Sequence, residues 1–319
     1  MNLKQYLCSD DIKEKIRTKA AELGFAACGF AKAEPVDAVA QEWYDQWLRA
    51  GRNDCMDYAA HYCDVRNNPA LLLENAQTVI SVAMAYYPRS FQDAEAAQIA
   101  YYAYGTDYHE VVKKCLHTLA AYIKELADAD CRACVDSAPI REKYWAQKAG
   151  IGFVGRNNLL ILPGKGSFFF LGELVTTLAL QPDEPCNMTC GDCLLCEKVC
   201  PGGALSGGKA LDASRCLSCQ LIEQRGELPE WIGSKVGNRV YGCDECQKCC
   251  PHNRCPQPTE VEEFTLREPL RHITHDEIAE MTDEQFRTIF SHSAIKRIKL
   301  PLLKRNNQAS ASFHADKQL

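Results

Sequence analysis

Eight cysteines in two spaced groups constrain this chain more than anything else in it. The first group reads Cys190-x2-Cys193-x2-Cys196-x3-Cys200-Pro201, and the second reads Cys216 followed by Cys243-x2-Cys246-x3-Cys250-Pro251. The first spacing is the run that holds paired 4Fe-4S cubanes, with its fourth cysteine reaching the other cluster. By that crossing rule Cys190, Cys193, Cys196 and Cys250 hold one cluster, while Cys200, Cys216, Cys243 and Cys246 hold the other. Structural zinc also takes four cysteines from paired C-x2-C elements, but the tight triple spacing and both trailing Cys-Pro pairs favour iron-sulfur. Two clusters in a small fold make a path for single electrons, so an acceptor is expected elsewhere in the chain.

The chain has 319 residues, 46% of them hydrophobic and 24% charged, ordinary globular composition with room for a sizeable core. Met1 to Cys8 runs straight into the charged stretch Asp10 to Lys15, unlike a signal peptide. Apolar runs such as 159–162 and 168–171 fall far short of a membrane span. A cytoplasmic protein without membrane contact is therefore expected, and in that reducing compartment nineteen cysteines indicate metal or redox chemistry rather than disulfides. The formal charge of -6 gives no general attraction to nucleic acid. A local patch, Lys296, Arg297, Lys299, Lys304 and Arg305, is either a solvated helix face or an anchor for phosphates.

Periodicity predicts a helix over 12–24 closed by Gly24, a second from Tyr108 to Ala127, and strands at 25–30, 78–84, 131–136 and 168–175. The predicted class is α+β: a mixed α/β domain over 1–182, then a ferredoxin-like two-cluster domain over 183–256, then a helical, basic segment over 257–319. The boundary is marked by Gln181-Pro182-Asp183-Glu184-Pro185, after which the chain is rich in Cys, Gly and Pro and needs metal to hold its shape. Asp276 and Asp283 stand at expected helix starts, the basic stretch reads as a helix, and the polar tail after Asn306 is expected to be loose.

Asp136 ends an apolar strand and enters the turn Asp136-Ser137-Ala138-Pro139. It is either the acid at the mouth of the domain, with burial raising its pKa so that it stays protonated, or a turn aspartate bonding its own backbone. Asp107 and His109 invite comparison with the Asp-x-His-x-x-Gly motif of proteins that place a histidine on cobalt. The glycine is missing, and a helix cap and first turn fit better. Gly150 to Asn158 is weak as a nucleotide fingerprint because it follows a helical pattern. Cys131 and Cys134 read as structural thiols, and Cys219 and Cys249 as non-ligands because they break the cluster spacing.

Taken together, Asp136-Ser137-Ala138-Pro139, Ala149 to Gly155, Gly166 to Leu174, Arg215-Cys216 through Gly226, Gly237 to Cys246 and Ser293-Ala294-Ile295-Lys296-Arg297 resemble the cobalamin-dependent epoxyqueuosine reductases over nearly the whole chain. The resemblance implies reduction of epoxyqueuosine to queuosine in a tRNA anticodon. It implies base-off cobalamin, without a histidine on cobalt, bound between the α/β and cluster domains and reduced through two 4Fe-4S clusters. Asp136 then matches the family's proton donor. The implied corrin contacts are His61, Asp136, Leu160, Leu171, Ser218, Arg225, Cys243 and Asp244, although the family usually has Arg where His61 aligns and an aromatic where Cys219 stands. Lys296, Arg297, Lys299, Lys304 and Arg305 would grip tRNA on a smaller surface than in longer members, which continue into a helical-repeat domain. An unidentified low-potential electron donor and a monomeric state are also expected. Two other readings remain at this point: a pure electron carrier, and a relative of the reductive dehalogenases acting on a small molecule.

Overall fold

A computed structural model describes residues 9–205 and 211–315; the expected lack of a signal sequence at Met1 to Cys8 lies outside them. The chain opens with α1 (Ser9–Glu22), β1 (Ala27–Lys32), α2 (Ala38–Arg49), α3 (Cys63–Asn67) and β2 (Thr78–Ala85). Next come β3 (Gln98–Ile99), α4 (Tyr108–Ala127), β4 (Cys131–Cys134), α5 (Glu142–Lys148), β5 (Phe153–Val154), β6 (Leu160–Ile161) and β7 (Phe169–Thr176). β1, β2, β7 and β4 pair in that order into one antiparallel sheet.

β2 is buried on every residue because both faces are covered. Ile80, Val82 and Met84 point towards α1 and α4, whereas Val79, Ala83 and Ala85 point towards α5. The α5 side carries the smaller residues, which lets that helix lie close to the sheet. α4 begins where the Asp107 side chain accepts the His109 N–H. It sets Val112, Leu116, Leu119 and Ile123 at helical spacing into the core, each such burial stabilising by about 1.5–3 kcal/mol. Gly172 in β7 makes this approach possible, since a Cβ there would lie 3.0 Å from Leu116 and 3.1 Å from Val112.

The cysteine-rich stretch carries only short elements: α6 (Leu195–Val199), α7 (Leu217–Ile222), β8 (Arg239–Tyr241) and α8 (Glu245–Lys248). β8 pairs in parallel with β3. Through this contact Ala97 to Tyr104 share one core with Val240, Tyr241 and the helices that follow, α9 (Glu268–Arg271), α10 (His275–Glu280), α11 (Asp283–Ile289) and α12 (Lys299–Ala315). Capping boxes at Thr274 and Thr282 start α10 and α11, so the first begins one residue before the expected Asp276. The basic stretch is not one helix. A 3-10 turn over Ala294–Ile298 ends at Lys299, whose φ is 60°, and α12 follows. Nor is the chain loose between 306 and 310: Asn306 donates to the Leu221 and Val240 carbonyls at 2.8 and 2.9 Å, and Ser310 donates to the Gly237 carbonyl; the expectation for 316–319 lies outside the described residues. Among the described residues no helix is long and apolar enough to cross a membrane.

Candidate active site and cluster sites

After β4 the chain turns at Asp136, whose φ of 39° is uncommon for a residue with a side chain. Contacts on both sides hold it there. Its N–H donates to Glu142 Oε1 at 2.6 Å, from the first turn of α5. Its Oδ2 accepts from the Tyr108 hydroxyl at 2.9 Å and pairs with His109 Nε2 at 2.8 Å. His109 Nδ1 in turn meets Asp107 Oδ1 at 2.7 Å. The start of α4 therefore presents a tyrosine and a histidine to a strand-end carboxylate, and that carboxylate bonds to them rather than to its own turn.

Burial lowers the His109 pKa, but the hydrogen bonds and charges of Asp107 and Asp136 push it up to about 9. For Asp136 burial acts upward and is outweighed by the bond and charge of His109, the Tyr108 hydroxyl and the charge of Arg297, so the carboxyl sits below its ordinary range. The expected raised, protonated Asp136 is thus corrected. At neutral pH the carboxylate is ionised, and the proton rests on His109. Beneath the turn, Glu142 and Glu173 are both pushed up, by burial first and by charge repulsion. Glu173 is fully buried, accepts from the Ser81 hydroxyl at 3.3 Å through Oε1, and has no hydrogen-bond partner at Oε2 among the described residues. The half-buried Glu142 and the fully buried Glu173 disfavour each other's ionised form, which raises the affinity for a proton under the Asp136 turn.

Arg297 donates to Glu223 Oε2 at 2.6 Å and lies near enough to Asp136 for the carboxylate charge to act on it, with the Tyr58 hydroxyl close by. Arg225, exposed, stands 3.8 Å from Glu223. Residues from five separate stretches, at Tyr58, Asp107 to His109, Glu142, Glu223 and Arg297, thus converge on Asp136. Asp107 and His109 were legible as a helix start, but nothing in their spacing tied them to Asp136, and Tyr108, Tyr58, Glu142 and Glu223 gave no signal.

The other expected corrin contacts are spread wider. Leu160, buried, and Leu171, half-buried, share an apolar cluster with Ala83 and Phe169. Ser218 is half-buried on α7, and His61 is exposed after the turn Asp57–Ala60. Asp244 is buried and accepts the Tyr101 N–H at 2.9 Å. Of the basic residues, Lys296, Arg297 and Lys299 are exposed and Lys304 is half-buried. Arg305 directs its guanidinium to the carbonyls of Gln224 and Gly226 and to Asn306 Oδ1, closing the chain that follows α7.

Cys190, Cys193, Cys196 and Cys250 line one cavity of about 170 Å³ together with Arg156, Asn157 and His252. The Arg156 N–H points at Cys190 Sγ, 3.4 Å away. Cys249 turns aside to the Cys246 carbonyl. Cys200, Cys216, Cys243 and Cys246 form a second group close enough to perturb one another's ionisation, and the Ala204 N–H points at Cys200 Sγ, 3.2 Å away. Four thiols ringing a cavity, with backbone N–H groups aimed at sulfur, are a donor set that fits a cubane. Burial holds the Cys216, Cys243 and Cys246 thiols protonated in the absence of iron, so iron would bind with release of protons. Cys131 and Cys134 fall on opposite faces of β4, in different core clusters, and make no thiol pair.

The family model described as epoxyqueuosine reductase QueG, DUF1730, matches residues 66–137, and that of a 4Fe-4S double cluster binding domain matches 189–253. The epoxyqueuosine reductase of Leadbetterella byssophila is 40% identical over 297 residues, which cover 93% of this chain and 97% of that protein. The solved epoxyqueuosine reductase of Streptococcus thermophilus matches with a TM-score of 0.86 at 31% identity, over 95% of this chain and 82% of that one. An epoxyqueuosine reductase with a tRNA-Tyr epoxyqueuosine-modified stem loop matches with a TM-score of 0.85 at 26% identity, over 98% and 84%.

Proposed function

The chain belongs to the epoxyqueuosine reductase family, and from that premise we propose that it reduces epoxyqueuosine to queuosine at the wobble position of tRNA, with Asp136 as the immediate proton donor. The observation that carries this reading is the half-exposed Asp136 carboxylate paired to a proton-bearing His109, beside a region built for 4Fe-4S clusters.

The residues present fit cobalamin. Leu171 offers a half-open apolar wall, and Ser218 and Arg225 offer polar groups with accessible surface. His109 has both ring nitrogens engaged by Asp107 and Asp136, so neither is free to serve as a metal ligand. A bound corrin would supply the reducing electrons, and Cys190, Cys193, Cys196 and Cys250 with Cys200, Cys216, Cys243 and Cys246 would hold the two clusters that supply single-electron chemistry.

Removal of an epoxide oxygen as water takes two electrons and two protons. His109 holds the first proton at Nε2, and its transfer over 2.8 Å to Asp136 Oδ2 makes that carboxyl the donor to the departing oxygen. Tyr108 keeps Oδ2 oriented, and Asp107 retains the Nδ1 proton of the neutral His109. Glu142 holds the turn in place through the Asp136 N–H. The second proton reaches Asp136 from solvent through its exposed edge.

Lys296, Arg297, Lys299 and Lys304 are the proposed tRNA contacts. Arg305 contributes by ordering the chain after α7, and Arg297 also faces Asp136. A cytoplasmic monomer served by a low-potential electron donor suits this chemistry. The test is anaerobic: protein with reconstituted clusters, a low-potential reductant and epoxyqueuosine-containing tRNA, with and without cobalamin, read by nucleoside mass spectrometry. Queuosine appearing only with cobalamin is the expected result. Intact clusters and bound corrin without queuosine would move the assignment to another substrate.

A further inference from the structure

We propose that Cys55 and Cys219 form a redox-active dithiol that low-molecular-weight disulfides oxidise to an intrachain disulfide. Neither belongs to the two cluster sets, and the inference stands apart from the substrate assignment. Their Sγ atoms lie 3.5 Å apart although 164 positions separate them in the chain. Closing to a disulfide requires the sulfurs to approach by only about 1.5 Å.

Their meeting is built into the fold, because neighbours of both cysteines are bonded across the same seam. Asp54 Oδ2 accepts from Gln220 Nε2 at 2.7 Å. The Arg52 carbonyl accepts the Ala213 N–H at 2.8 Å, and the Trp47 indole N–H donates to the Leu211 carbonyl at 2.6 Å. These bonds hold the segment 47–55 against 211–220 and leave the thiols facing each other. Cys55 is half-buried and reachable from solvent, whereas Cys219 is only 7% exposed.

That asymmetry orders the chemistry. The Cys55 thiolate attacks a small disulfide RSSR, its S–S bond breaks, and one RSH leaves with a mixed disulfide on Cys55. Cys219 sulfur then attacks Cys55 sulfur, the Cys55–Cys219 bond forms, and the second RSH leaves. The two protein sulfurs lose two electrons, the small disulfide gains them, and the two thiol protons end on the released RSH. The bridge would fasten the stretch leading into Tyr58 to α7, which starts after Cys216 and runs on to Glu223. The redox state of the pair would thereby reach Tyr58 and Glu223, which lie close enough to Asp136 and Arg297 to act on them.

The experiment incubates the cluster-loaded protein anaerobically with oxidised glutathione while following cluster absorbance, then quenches with acid, blocks free thiols and maps non-reduced tryptic peptides by mass spectrometry. The expected result is a linked pair of peptides 53–66 and 216–225, bridged at Cys55 and Cys219, formed with the clusters retained and released by reductant. Cys63→Ser should keep the link, and Cys55→Ser should abolish it while leaving Cys219 unmodified. A glutathione adduct that persists on Cys55, a link through Cys216, a link that forms only as cluster absorbance is lost, or no reaction at all would each overturn the proposal.

Discussion

In the sheet domain β2 is buried on all eight residues and α4 lays five apolar side chains into the core, whereas between 186 and 255 the α-helices among the described residues are four to six residues long and Met188, Leu194, Leu195 and Val199 are exposed. The first region is held by apolar burial, which acts along whole elements. The second has a small core of Leu217, Leu221, Ile232 and Val236, and its cysteine loops depend on ligand bonds to stay in place. The groups around Asp136 come from both sides, with Asp107, Tyr108 and His109 from the sheet side and Glu223 and Arg297 from beyond it. On the proposed reading, proton-holding groups come from the part that packing makes rigid, and electron-carrying groups from the part that iron would make rigid.

Iron removal should break this comparison most sharply. Chelation under reducing conditions is expected to abolish hydrogen-exchange protection around Cys190–Cys200 and Cys243–Cys250 while leaving 78–85 and 169–176 protected. Equal loss in both regions would mean that the sheet also depends on metal. The reciprocal change is Leu116→Ala, expected to cost about 2–5 kcal/mol in denaturant unfolding of the sheet domain with iron content per folded protein unchanged.

At the seam itself, His109→Gln should slow single turnover by about 10²-fold. Because the His109 pKa is raised to about 9, the proton is present at neutral pH, and the rate of the unsubstituted protein should fall as pH rises through that value. The same raised pKa contributes stability that is full below the unfolded value of about 6.5 and fades as pH rises through about 9. A flat alkaline limb, or an unchanged limb in His109→Gln, would remove His109 from the proton path. The smallest effect is expected from Lys296→Glu with Lys299→Glu: weaker tRNA binding with a salt slope shallower by about one per lost phosphate contact and cofactor content unchanged. Arg297 is left out of this pair because its guanidinium is bonded to Glu223 beside Asp136.

The sheet was legible because its strands are continuous apolar runs and α4 keeps a clean helical period; the expected helix from Tyr108 to Ala127 is the observed one. The cysteine spacing named the cofactor class, since ligand separation along the chain is itself the signal. The charge state of Asp136 was not legible. Its pKa depends on His109, 27 positions away, and on Arg297, much farther along, and only folding brings these groups together. The stretch 306–310 was misread because its polar residues Asn306 and Ser310 look solvent-facing in sequence yet satisfy carbonyls of Leu221, Val240 and Gly237. Local composition gives no notice of a distant acceptor.

The most direct test of the account is Asp136→Ala, assayed for anaerobic conversion of epoxyqueuosine-containing tRNA with iron and cobalamin content measured in the same samples. The account predicts full cofactor content and a rate lower by about 10²–10⁴-fold. Conversion at the unsubstituted rate with the cofactors in place would contradict it, because the proton would then reach the substrate without this carboxylate.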